Sequence, residues 1–71
     1  MASVASYVYT HLGVKALENW TNLTREMKKL QNRLGKSEGE ELDKVLQEIH
    51  VLGMRISAIE QEARVPPDLL S

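Results

Sequence analysis

The chain has no cysteine, no phenylalanine and only three aromatic residues, Tyr7, Tyr9 and Trp20. Without cysteine no disulfide can staple the fold, and no Cys/His cluster exists to hold a structural zinc. The shortage of aromatics, beside plentiful Leu, Ile, Val, Met and Ala, argues against a sheet, whose pleated surface favours aromatic residues and Thr. Charge of one sign is lacking as well. The formal net charge is −1, so no overall field steers the chain toward nucleic acid or an acidic membrane. No apolar run approaches the roughly 20 residues that span a bilayer, and the N-terminus lacks the positive region of a secretion signal. These absences lead to the expectation of a soluble, cytoplasmic protein.

With 71 residues the chain forms one domain, and a domain this small has a marginal core unless something supplements it. Disulfides and metals being excluded, oligomerisation or association with another protein is the remaining aid.

The clearest positive signal lies in the second half. Leu42, Val45, Ile49, Leu52, Ile56, Ile59 and Ala63 alternate spacings of three and four, an unbroken heptad seam. Ser37 with Glu40 three residues later matches a capping box, and Glu38, Glu40 and Glu41 set negative charge at the positive end of the helix dipole. Pro66 and Pro67 end the pattern and bias Val65 toward extended geometry. A helix over about 38–64 follows, with 65–71 as an extended Pro-containing tail.

The first half carries a matching stripe of Leu12, Ala16, Trp20, Leu23, Met27, Leu30 and Leu34, which Tyr9 extends backward. Lys28, Lys29 and Arg33 suit the negative end of a helix dipole, and Gly35 stands where a left-handed C-terminal cap is expected. The spacing predicts a helix over about 3–34. Gly13 either kinks it or is tolerated within it at about 1 kcal/mol. The link between the helices is so short that they must be antiparallel neighbours. The expected fold is all-α: a two-helix hairpin over 1–64 whose core is Leu12, Trp20, Leu23, Met27, Leu30, Leu34, Leu42, Val45, Ile49, Leu52, Ile56 and Ile59.

A second apolar set, Val4, Tyr7, Val8, His11 and Val14, recurs at helical spacing on a face well away from the Trp20 stripe. A continuous first helix is about 48 Å long and the second about 39 Å, so residues 1–9 are expected to overhang. Only the C-terminal tail is within reach of that overhang. Val51, Met54 and Ala58 add a smaller strip opposite the seam of the second helix. Both sets read as surfaces for a partner.

Reactive constellations are missing. His11 and His50 fall far apart along a hairpin and share no metal. Gly35-Lys36-Ser37 mimics the end of a phosphate loop, but position 30 is Leu rather than Gly, and a helix precedes it instead of a strand. Glu38, Glu40, Glu41, Asp43 and Glu48 belong to a solvated helix start rather than to a buried acid/base pair. The glycosylation sequons at Asn19 and Asn22 lie inside a helix. The chain is therefore expected to be neither an enzyme nor a holder of any cofactor or metal.

The charges are unevenly placed. Residues 1–36 carry six basic and two acidic side chains, and residues 37–71 carry three basic and eight acidic. Arg25, Lys28, Lys29 and Arg33 share one side of the first helix, with Asn32 and Lys36 beside them. Such a face, doubled in a dimeric four-helix bundle, can bind RNA phosphates. No aromatics interleave with it, and the acidic start of the second helix lies alongside, so a solvated face is the preferred reading. A membrane role is disfavoured, since the first thirteen residues hold no Lys or Arg.

The expected function is that of an interaction protein: a helical-hairpin subunit, adaptor or small chaperone. It would bind a partner helix, or its own copy, and complete a three- or four-helix bundle or coiled coil. The plan resembles that of small hairpin co-chaperones of bacterial secretion systems and of small coiled-coil subunits of larger assemblies. The likeness is one of architecture and implies no residue roles.

Overall fold

A computed structural model of the chain describes residues 3–70. It is all-α, with no strand among the described residues. Four helices follow one another: α1 (Val4–Leu12), α2 (Val14–Leu34), α3 (Gly39–Glu62) and the short α4 (Pro67–Leu70). Residues 1 and 2 of the expected overhang and Ser71 of the expected tail lie outside the described residues.

The expected continuous first helix is two helices. Ser3 caps α1, its side-chain oxygen accepting from the Ser6 N–H at 3.2 Å. The break falls at Gly13, with φ 95° and ψ −179°, a conformation almost confined to glycine. Two backbone bonds frame the break: the Gly13 N–H donates to the Tyr9 carbonyl at 3.0 Å, and the Leu17 N–H donates to the Gly13 carbonyl at 3.1 Å. The chain redirects between these two bonds, and α1 folds against both α2 and α3. The molecule's longest extent is 42 Å, less than the roughly 48 Å an unbroken helix over 3–34 demands. Residues 3–9 therefore do not overhang.

α2 and α3 run in opposite directions, since residues descending along one meet residues ascending along the other. Trp20 meets Glu60, Met27 lies near Gly53, and Arg33 reaches Glu41. The connection differs in detail from the sequence expectation. Gly35 is right-handed (φ −67°), and the turn closes by the Lys36 N–H donating to the Arg33 carbonyl at 3.0 Å. The left-handed glycine is Gly39 (φ 62°), at the start of α3. Glu38 takes the capping position with no side-chain bond. Ser37 does not cap α3: its hydroxyl donates back to the Arg33 carbonyl at 2.7 Å, a second bond to an acceptor that already holds the Lys36 N–H.

The end of α3 is a Schellman motif. The Val65 N–H donates to the Glu60 carbonyl at 3.1 Å, and the Arg64 N–H donates to the Gln61 carbonyl at 3.0 Å. Arg64 occupies the left-handed position at φ 57°, where glycine is usual. This turn carries Val65 back under α1. Beyond it, residues 67–70 are helical rather than extended, with Pro67 at the first helical position, where its missing N–H costs nothing.

The core has its centre at this end. Val8, Ala63 and Val65 are buried together, and Val4, Tyr7, Leu12, Ala16, Leu17, Trp20 and Ile59 pack around them. At the other end Leu30 and Val45 alone are buried among the described residues.

Candidate partner-binding surface

The N-terminal apolar set expected to meet a partner divides in two. Val8 has no exposed surface, and Val4 and Tyr7 pack beside it against Ala63 and Val65. Val8 is thereby corrected from a partner contact to the chain's own core, while Val4 and Tyr7 are half-buried at its edge. The physical reason is the turn at Gly13, which brings α1 back onto the end of α3. His11 and Val14 stay exposed, Val14 at 56%. The His11 ring stacks on Tyr7 at 5.9 Å, and its Nδ1–H donates to the Tyr7 carbonyl at 3.0 Å. A carbonyl oxygen can only accept, so this bond fixes the proton on Nδ1.

Trp20 joins the two layers. It is half-buried against the Val8 cluster, and its indole N–H donates to Glu60 Oε2 at 3.3 Å. The seam pattern names Trp20 but not Glu60, because a carboxylate beside an apolar stripe reads as a solvated flank.

Away from α1 the α2/α3 seam is thinly covered. Leu23, Met27, Leu34, Leu42, Ile49, Leu52 and Ile56 are all half-buried. Val51 (42%) and Met54 (62%) are exposed, and so is Ala58. Leu46 is also exposed, although it lies off both the seam and the strip and no pattern in the sequence singles it out. Two grooves follow the helix pair. One, of about 500 Å³, runs between Leu30, Glu26 and Arg33 on α2 and Lys44, Glu48, Val51 and Leu52 on α3. The other, of about 540 Å³, lies between Met27 and Gln31 on α2 and Ile49, His50, Gly53 and Met54 on α3. Gly53 opens this second groove: a Cβ there would stand 3.6 Å from Met27 Cε, an ordinary contact.

The basic residues Arg25, Lys28, Lys29 and Arg33 are all exposed on α2. Two of them meet acids, Lys29 with Glu26 at 3.6 Å and Arg33 with Glu41 at 3.8 Å. These pairs are exposed at both partners and contribute little to stability. They do divert part of the positive face toward the protein's own carboxylates. Among the described residues there is no group of three or more His, Asp or Glu side chains arranged to hold a metal. No helix among them is long and apolar enough to cross a membrane.

No protein-family profile, no curated protein and no solved structure matches this chain.

Proposed function

We propose that the chain is a non-catalytic interaction module: a small helical hairpin, closed at one end by α1, that completes a three- or four-helix bundle by accepting a partner helix along the α2/α3 seam. One observation carries this reading. Every seam residue of the α2/α3 pair away from α1, apart from Leu30 and Val45, is only half-buried, while Leu46, Val51 and Met54 stand exposed beside them. Two helices alone bury a single line of contact. A third helix laid in one groove removes the apolar lining of that groove from water, Val51 and Leu52 in the first or Ile49 and Met54 in the second, at about 25 cal/mol per Å². Subunit, adaptor and small chaperone are all roles that such a surface can serve.

Site-specific photo-cross-linking in living cells tests the proposal. A photoreactive residue at Val51 or Met54 is expected to give a discrete protein adduct. The same residue at Asn22, an exposed polar position on α2, is expected to give none. Equal yields at both sites, or no adduct at any position, would refute the module. Adducts to RNA from Arg25 and Lys28, without protein adducts from Val51 and Met54, would replace it with the nucleic-acid reading.

A further inference from the structure

The groove beside Leu30 and Val51 has a polarity along its length. Two acids and two bases line it: Glu26 and Arg33 from α2, Lys44 and Glu48 from α3. Because α2 and α3 are antiparallel, Arg33 near the end of α2 lies level with Lys44 near the start of α3. Glu26 stands seven residues back along α2, about 10 Å away, and Glu48 one turn on along α3, about 6 Å away. Both displacements point the same way along the groove. One end is therefore basic and the other acidic, with Leu30, Val51 and Leu52 supplying the apolar lining.

We infer that this groove is where the chain binds a second copy of itself, related by a two-fold axis across the groove. The inference rests on the interaction-module reading and names its partner. A two-fold interface presses one patch against its own image. A patch of one sign repels that image. A patch with an acidic and a basic end attracts it, and only in the orientation that sets Glu26 and Glu48 of one copy over Arg33 and Lys44 of the other. No foreign helix needs to be supplied with matching charges, because the chain already carries them. The apolar lining provides the favourable burial, and the charges fix orientation and register. Two existing pairs must exchange for the new ones, Arg33 with Glu41 at 3.8 Å and Glu26 with Lys29 at 3.6 Å, and both are mostly exposed and weak.

Sedimentation equilibrium of the full chain over a wide concentration range, with circular dichroism to confirm helicity, tests this directly. The wild type is expected to be a dimer that weakens as salt is raised. Arg33→Glu with Lys44→Glu makes the groove wholly acidic, and Glu26→Lys with Glu48→Lys makes it wholly basic. Each double variant alone should raise the dissociation constant on the order of tenfold or more, and mixing the two in equal amounts should restore a dimer. Val51→Gln probes the same groove without adding charge to either end and should also weaken the dimer, even if a charge variant loses helicity. A wild-type monomer at every concentration would overturn the second-copy assignment while leaving cross-linking from Val51 to another protein as a separate result. A dimer indifferent to all three variants would overturn the groove. So would helical charge variants that fail to pair when mixed.

Discussion

The two ends of this molecule are built from the same materials and packed to different depths. At the closed end, α1, the end of α3 and the Val65 turn enclose Val8 and Ala63 completely. At the open end, α2 and α3 face each other without a third layer, and Met54 remains 62% exposed. Aliphatic side chains dominate both, with Tyr7 and Trp20 added at the closed end, and composition does not set the difference in depth. The number of elements meeting at a point does. A third helix converts a line of contact into an enclosed volume, and a pair of helices cannot do this however regular its heptads are.

The comparison can be broken most severely at Val8. Val8→Asp places an unpaired carboxylate in the closed core and should cost about 3–5 kcal/mol, enough to undo the docking of α1. Val14→Asp, one residue past the turn and exposed, should change stability by less than about 0.5 kcal/mol. Thermal unfolding followed by circular dichroism separates the two outcomes. Comparable losses would mean that α1 is not seated as described.

Gly13 comes next. Gly13→Ala meets no steric obstacle among the described residues, none of which lies within 4 Å of the point its methyl group would occupy, but its backbone conformation should cost about 1–3 kcal/mol. Chemical denaturation measures the loss, and hydrogen exchange should place the lost protection in α1 rather than across α3. A neutral substitution would show that the turn is easily exchanged for a continuous helix.

Two smaller substitutions sharpen the contrast in the opposite direction, one at each end. Arg64→Gly relieves a left-handed residue and should stabilise the closed end by about 1 kcal/mol. Gly53→Ala replaces a mid-helix glycine where a methyl group fits against Met27 at 3.6 Å, and should stabilise the open end by up to about 1 kcal/mol. Denaturation midpoints read both effects. A destabilised Gly53→Ala protein would indicate that the second groove closes more tightly than described.

The helices are legible in the sequence for a simple reason. Periodicity in Leu42, Val45, Ile49, Leu52, Ile56 and Ile59 reports which residues share a face, and a helix of that length leaves few alternatives. The fate of Val4, Tyr7 and Val8 is not legible. A pattern gives angles about one helix axis, and it gives no rotation or bend across a break such as Gly13. The pattern separates this apolar set from the Trp20 stripe, but it does not say that the cover is the chain's own end rather than a partner. The caps fail similarly. Ser37 and Glu40 satisfy the spacing of a capping box, yet the Ser37 side chain turns back to donate to the Arg33 carbonyl rather than forward to accept from an α3 N–H, and sequence spacing does not rank the two. Arg64 at a left-handed position violates the usual glycine preference, so the turn that buries Val65 has no sequence marker.

The single tryptophan gives the closed end its own optical channel. Trp20 sits beneath α1, half-buried, with its indole N–H held by Glu60, and the open end has no fluorophore of its kind. Its emission maximum should therefore move toward the red when α1 lifts or the α3 terminus frays. Loosening around Leu30 and Val45 should leave it unchanged. Ellipticity averages over all the helices, so the two signals recorded on one sample time the opening of one end against the melting of the whole.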